Sequence, residues 1–211
     1  MVLPRQSPDA REPSDELEPE PLLRATTAAL NGDTAALRVL LTALAPDIAR
    51  VARCVLGSTA AELDDVVQES LLGLVRALPG FRAESSLRRF ANRIAVRTAI
   101  GARRRQRVRR GHDERFFSHA APLDHTAPDP ENQYRSARRE ALLARLLDEL
   151  PEAQAETLAL RVVLGFSLEE TARATNVPEN TVRSRLRLAR EALRERIERE
   201  PSLHDLLEVE P

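Results

Sequence analysis

Apolar residues recur at helical spacing through the first half of the chain. Between Thr34 and Leu56, leucine, isoleucine and valine return every three or four residues, which predicts one long helix. The same spacing predicts a helix before Asn31 and others over about 62–78 and 86–107, the last with Ser85 as its N-cap. Turn signals separate these helices at Asn31-Gly32-Asp33, Gly57-Ser58 and Pro79-Gly80. Glycine and alternating β-branched runs are scarce, so the pattern predicts an all-α protein.

A second helical unit is predicted after a stretch without periodicity. The pattern resumes near Tyr134, and one helix ends at Leu150-Pro151 before another over about 152–164. Ser167 and Glu170 have the spacing of a capping box, which predicts the start of a third helix that closes near Asn176. A last helix opens with Pro178, a residue favoured in the first helical turn, and reaches about 198.

The polar, proline-containing stretches divide the chain. A segment rich in proline and acid cannot bury enough apolar surface to fold alone, which favours solvated tails and a flexible linker. We therefore expect an acidic tail (1–20), a first helical unit (21–110), a flexible linker (111–134), a second helical unit (135–199) and a second acidic tail (200–211).

Composition excludes several classes of protein. The 211 residues contain one cysteine, so an internal disulfide framework and a cysteine-based zinc site are excluded, and Cys54 is expected to be a small buried residue. The N-terminus has no apolar segment typical of a secretion signal, and no apolar run approaches membrane-spanning length. We expect a soluble, cytoplasmic protein with no membrane insertion.

The net charge of −1 conceals a strongly uneven distribution of arginine. All 32 basic residues are arginine, and twelve of them lie between Arg82 and Arg115 against three acidic residues. Five more lie between Arg183 and Arg194. Arginine clustered on helices is typical of phosphate binding, although a charge run is also compatible with a solvated face. The cluster has almost no acidic partner within four residues, which favours a polyanionic ligand.

The stretch FSLEETARATNVPENTVRSRLRLAREAL has the pattern of a helix-turn-helix. On the second helix, one narrow arc is apolar and is expected to face the core: Val182, Leu186, Ala189 and Leu193. The opposite side carries side chains that suit the DNA major groove: Asn180, Arg183, Ser184 and Arg187. An ordinary helical hairpin with a polar solvent face is the alternative.

Two stretches resemble a known family. LLDELPEAQAETLALRVVLGFSLEETARATNVPENTVRSRLRLAREALRE resembles region 4 of extracytoplasmic-function (ECF) sigma factors, and LDDVVQESLLGLVRALPGFRAESSLRRFANRIAVRTAIGARRRQRVRR resembles their region 2. The two lie in the family's order with a fitting linker, and regions 1 and 3 of housekeeping sigma factors have no counterpart. The resemblance implies two small helical domains, a region 2 bundle and a region 4 helix-turn-helix bundle.

The resemblance also implies partners and site residues. Core RNA polymerase would be bound at its β′ clamp helices and β flap, with a stripe on the region 2.2 helix formed by Asp65, Gln68, Glu69, Leu72 and Arg76. The −10 element would be melted and held by Phe81, Arg82, Ser85, Arg88, Arg89, Phe90, Asn92, Arg93, Arg97, Arg103, Arg104 and Arg105. The −35 duplex would be read by Arg161, Asn180, Thr181, Arg183, Ser184 and Arg187. The chain departs from the family's usual residues at Phe90, Asn92, Arg97, Asn180 and Leu188.

No enzyme constellation is visible. The four histidines all lie in the predicted linker or C-terminal tail, and there is no glycine-rich phosphate loop, so neither a metal nor a cofactor is implied. Three hypotheses remain: a sigma factor that binds polymerase and promoter DNA, with an anti-sigma factor as a further candidate partner; a stand-alone helix-turn-helix regulator; and a helical adaptor that does not bind DNA.

Overall fold

The computed structural model describes residues 20–57, 60–83, 85–112 and 140–199, and all regular structure within them is helical. The helices of the first unit are α1 (Glu20–Leu30), α2 (Thr34–Leu56), α3 (Ala60–Ala77), a 3-10 turn (Leu78–Gly80) and α4 (Leu87–His112). Those of the second are α5 (described over 140–148), α6 (Glu152–Val162), α7 (Leu168–Thr175) and α8 (Glu179–Arg199). The expectation of an all-α fold is confirmed.

Local capping explains several helix boundaries. The Asp33 carboxylate accepts hydrogen bonds from two amides of the first turn of α2, at 2.8 and 3.0 Å. The predicted capping box at the start of α7 is present, since Ser167 and Glu170 bond reciprocally. At α4 the prediction is one residue off: the Ser86 hydroxyl, not that of Ser85, accepts the amide of Arg89, at 3.2 Å.

In the first unit, α2 packs against α1, α3 and α4. Its buried side chains include Leu40, Leu44, Ile48 and Val51, which follow the predicted spacing. On α4 the buried residues include Ala95 and Ala99, while Ile94 and Thr98 are half-buried. On α3, Val66 and Ser70 are buried, while Val67 and Leu71 are half-buried.

In the second unit, α8 packs on α6 and α7 with the predicted residues inward. Val182, Leu186 and Ala189 are buried and Leu193 is half-buried. Asn176 takes the left-handed conformation (φ 52°, ψ 46°) at the end of α7. Asparagine tolerates this conformation, so the turn between α7 and α8 is as short as the sequence predicts.

The two units pack directly against each other. Helix α4 contacts α6, and buried residues of both units, including Ile100, Leu147 and Ala155, belong to one hydrophobic cluster. Gly57 ends α2 at φ 62°, and a Cβ at this position would lie 2.7 Å from the Cβ of Ala144 on α5. The units therefore meet closely at the end of α2 as well as along α4.

Parts of the predicted division of the chain fall outside the described residues. Both predicted tails lie outside the described residues, except for Glu20, which begins α1. The predicted linker also lies outside them, except for residues 111 and 112, which form the end of α4. No helix in the described ranges combines the length and the apolar character needed to cross a bilayer.

Candidate polymerase and DNA-binding surfaces

Helix α3 presents the predicted polymerase-binding stripe on its outer side. All five of its residues are exposed: Asp65, Gln68, Glu69, Leu72 and Arg76. Leu72 is 56% exposed and is the one large apolar side chain among the five. Glu69 pairs with Arg105 of α4 at 2.7 Å, so one edge of the stripe is anchored to α4. The stripe is therefore an exposed polar surface with one apolar residue at its centre.

The loop before α4 and the first turns of α4 bring two aromatic rings together. The ring centroids of Phe81 and Phe90 are 5.1 Å apart and tilted by 53°. The guanidinium of Arg93 lies 5.0 Å from the centroid of Phe90, a cation–π distance. Burial lowers the pKa of Arg93, and the positive charge of Arg97 adds to the effect. Asn92 follows on the same helix and is half-buried, and its buried Oδ1 has no hydrogen-bond partner within the described chain.

The other predicted −10 residues on this part of α4 divide into exposed and paired side chains. Arg82, Ser85 and Arg97 are exposed. Arg88 forms an ion pair with Asp47 of α2. Arg89 forms an ion pair with Glu170 of α7 and lies 5.2 Å over the ring of Phe166, so it faces the second unit.

Arg103 occupies a structural position, which corrects the prediction that it holds DNA. Its side chain is only 7% exposed. It donates hydrogen bonds to the carbonyls of Val55 and Leu56 at 2.6 and 3.0 Å and to the carbonyl of Ala144. It also pairs with Asp148 at 2.5 Å. Because the last carbonyls of a helix have no partner within that helix, Arg103 caps α2 and ties it to α5.

The neighbouring Arg104 and Arg105 remain on the surface. Arg104 is 70% exposed and pairs with Glu152 of α6 at 2.9 Å. Arg107 follows on the same helix and donates to the carbonyl of Asp148 at 3.1 Å. Exposed ion pairs contribute about 0–1 kcal/mol, so the pairs of Arg104 with Glu152 and of Arg105 with Glu69 can open to bind another anion.

The start of α8 presents the predicted −35 face. Asn180, Arg183, Ser184 and Arg187 are exposed and Thr181 is half-buried. Arg183 donates to Asn180 Oδ1 at 2.8 Å and to Glu179 Oε2 at 2.7 Å. These pairs lie within one helical turn and orient the guanidinium along the exposed face. The predicted Arg161 is placed differently, since it is half-buried and donates to the carbonyl of Phe166, in the loop between α6 and α7.

Acidic residues of the second unit are a feature that the sequence analysis missed. They face the arginines of α4 across the contact between the units: Glu170 pairs with Arg89, and Glu152 pairs with Arg104. Glu156 is the most enclosed of them: burial raises its pKa, and Arg97 and Arg185 oppose that rise. Part of the arginine cluster is thus neutralised inside the molecule, by partners too distant in sequence to be recognised from local spacing.

No cluster of histidine, cysteine, aspartate and glutamate suited to a metal ion occurs in the described part of the chain. His119, His125 and His204 lie outside it. Cys54 is half-buried instead of fully buried, and its sulfur lies 4.0 Å from a carboxylate oxygen of Glu140. Burial, followed by that carboxylate, raises the pKa of the thiol, which makes it a poor nucleophile at neutral pH.

Family models match both units. The model described as Sigma-70 region 2 matches residues 40–109, which include the α3 stripe and most of α4. The model described as Sigma-70, region 4 matches residues 140–193, which include the helix-turn-helix.

Relatives and solved structures agree with these matches. The chain is 32% identical over 142 residues to the ECF RNA polymerase sigma-E factor of Haemophilus influenzae, covering 65% of this chain and 75% of the relative. It is 34% identical over 144 residues to the sigma-E factor of Escherichia coli K12, covering 65% and 74%. Two solved structures share its fold. The structure of CnrH in complex with the cytosolic domain of CnrY has a TM-score of 0.54 and 20% identity, and the match covers 86% of this chain and 99% of that one. The structure of the sigma factor RpoE in complex with the anti-sigma factor NepR from Bartonella quintana has a TM-score of 0.50 and 24% identity, and the match covers 82% of this chain and 98% of that one. The chain belongs to the ECF subfamily of the sigma-70 RNA polymerase sigma factors.

Proposed function

We propose that this chain binds core RNA polymerase and directs it to promoters through two DNA-binding surfaces, one on each helical unit. The observation that carries the proposal is the presence, in family order within one chain, of the α3 stripe, the basic helix α4 and the helix-turn-helix face of α8. On this proposal the protein is an initiation factor and not an enzyme, and it acts in the cytoplasm with the transcription machinery.

The α3 stripe suits a helical partner on the polymerase. Asp65 and Glu69 offer acceptors, Arg76 offers donors, and Leu72 supplies the apolar centre that such an interface needs. Leu72→Glu should weaken binding of core polymerase by about tenfold or more, since charging a central apolar contact removes a hot spot. Val39→Glu on α2 is the matched control, because Val39 is 61% exposed and lies outside the stripe.

The first half of α4 and the loop before it suit the −10 element. Phe81, Phe90 and Arg93 form a partly buried stack, and an aromatic ring that holds an unpaired base contributes about 1–3 kcal/mol per base. Arg82, in the loop, and Arg97, further along α4, are exposed and would bind phosphates of the strand.

The face at the start of α8 suits the −35 duplex. Arginine pairs with guanine and asparagine with adenine in the major groove, and Arg183, Asn180 and Ser184 lie side by side at a helix N-terminus. Arg187 extends the face by one turn and would contact the phosphate backbone.

An anti-sigma factor is a further proposed partner, as in the RpoE complex with NepR.

The test is reconstituted transcription. Core polymerase, the full chain and a supercoiled promoter library are combined, and transcripts that require the chain are mapped. Initiation at a defined promoter class supports the proposal. Duplex binding that needs no core enzyme, without transcripts, would instead identify a stand-alone regulator, and core binding without initiation an adaptor.

A further inference from the structure

A continuous groove runs between the C-terminal half of α4 and the start of α6. One cavity in it, of about 570 Å³, is lined by α4, the end of α5, the α5–α6 turn and α6. Two adjoining cavities, of about 680 and 230 Å³, extend it along α4, and Glu152 lines all three. We call this the α4–α6 groove. It lies on the seam between the two units, outside both the α3 stripe and the face at the start of α8.

The groove has an apolar floor and a basic rim. Ile100, Leu147 and Ala155 form part of the floor, and Val108 lies above them, 57% exposed. The buried Arg103 is already paired with Asp148. Apart from that pair, the rim along the three cavities carries four exposed arginines against two carboxylates: Arg97, Arg104, Arg105 and Arg107 against Glu152 and Glu156. A segment with clustered leucines and an excess of acid complements both features.

The C-terminal segment of the chain itself has that composition. Residues 202–210 read SLHDLLEVE, with leucines at 203, 206 and 207, the spacing of one helical face, and three acids among them. Its starting point is also close: Arg196 pairs with Glu149 at 3.4 Å, which places the last turn of α8 beside the α5–α6 turn. The eleven residues 200–210 can span up to roughly 35 Å. This exceeds the roughly 16 Å of α4 between Arg97 and Val108, along which the groove runs. The acidic N-terminal tail lacks a comparable leucine cluster.

We infer that residues 202–210 dock in the α4–α6 groove, with their leucines against Ile100 and Val108 and their carboxylates toward Arg104 and Arg107. The docked segment covers Arg104, one of the −10 residues that the family resemblance implies, so on the proposed function it competes with the promoter for that surface. This consequence rests on the proposed function, whereas the docking itself does not.

Disulfide trapping in the full chain tests the docking. In a Cys54→Ser background, Leu206→Cys is paired with Val108→Cys in the groove or with Val39→Cys as the control. Val39 is 61% exposed and lies 16 residues before Val55, about 24 Å along α2 from the end that Arg103 caps. The Val108 pair should form the intramolecular disulfide about tenfold faster or more, because docking raises the effective concentration of the two thiols. Equal rates, or no disulfide in either pair, would overturn the inference.

DNA affinity tests the competition. Leu206→Ser with Leu207→Ser in the full chain removes the apolar anchor and leaves the charge unchanged. Promoter DNA at low salt should bind this variant about fivefold more tightly or better, the low end of coupling between two sites. An unchanged affinity would overturn the competition even if the disulfide forms. A third outcome separates the two proposals: the disulfide forms, but neither the native chain nor the double variant binds DNA, alone or with core enzyme. That outcome would contradict the proposed function and leave the docking intact.

Discussion

Replacing Arg103 with methionine should destabilise the fold far more than it affects DNA binding. The change keeps the length and apolar contacts of the side chain but removes the hydrogen bonds to the carbonyls of Val55, Leu56 and Ala144 and the charge beside Asp148. Hydrogen bonds to a charged group contribute about 1.5–3 kcal/mol each, but they are not additive, and Asp148 can regain water because it is 45% exposed.

The loss should therefore come mainly from the three carbonyls left without a donor, at about 1–3 kcal/mol each and about 3–5 kcal/mol together, since they are not additive. For a chain of this size, that lowers the Tm by roughly 6–20 °C. Arg104→Met is the matched control, since it is the same chemical change one residue along, at a side chain that is 70% exposed, and it should cost about 1 kcal/mol or less. Thermal and urea unfolding followed by circular dichroism measure both variants. Equal losses, or native stability with reduced DNA affinity for Arg103→Met, would refute the reasoning.

Three other variants test the contact between the units and the face of α8. Glu170→Gln keeps an oxygen for the cap of α7 but removes the charge paired with Arg89. Burial opposes ionisation of Glu170, yet the Ser167 amide and Arg89 outweigh it and lower the pKa below its usual value. The pair should therefore stabilise the fold above the unfolded-state pKa of about 4.3, and the difference in unfolding free energy from the native chain should shrink as pH falls through the folded-state pKa. Gly57→Ala should cost about 1–3 kcal/mol, measured by urea unfolding, because of its φ of 62° and the 2.7 Å approach to the Cβ of Ala144. Arg183→Ala should reduce −35-dependent initiation by about 1–3 kcal/mol, about fivefold or more in rate, and leave binding of core polymerase unchanged.

Each of these variants has a control in the chain. Glu169→Gln removes an exposed charge beside Glu170, and its unfolding free energy should show no comparable dependence on pH. Gly165→Ala shares the positive φ, 63°, but meets open space, so a loss as large as that of Gly57→Ala would contradict the role of the close approach. Arg190→Ala, further along α8, should initiate as the native chain does. An equal loss of initiation and core binding in Arg183→Ala would refute the division between α3 and α8.

Helix positions were largely predictable because they depend on local patterns. The apolar spacing of α2 gave both ends correctly, at Thr34 and Leu56, and the capping box at Ser167 was visible as a four-residue motif. Local patterns could not decide between two adjacent residues of one type. Two serines precede α4, and only the structure shows that Ser86 is the cap. The family was predictable for a further reason, since two motifs in a fixed order are more specific than either alone.

The partners of the arginines were not predictable from local spacing. Arg103 has the same sequence environment as Arg104, in a run of three arginines, yet one is buried and the other exposed. The carboxylate that pairs with Arg89 lies 81 residues away, at Glu170. Spacing along a helix predicts which side chains share a face, but only the packing of the two units decides which arginines are neutralised. The assignment of individual exposed residues to polymerase, −10 or −35 contacts stays a prediction.

Promoter opening in the presence of core polymerase tests the central claim most directly. Permanganate modifies unpaired thymines, so a supercoiled promoter selected with the chain can be probed with core enzyme alone, with the chain alone and with both. The account predicts reactive thymines in the −10 element only when both are present, with the −35 duplex protected in the same complex. Protection of the duplex by the chain alone, with no reactive thymines when core polymerase is added, would contradict it.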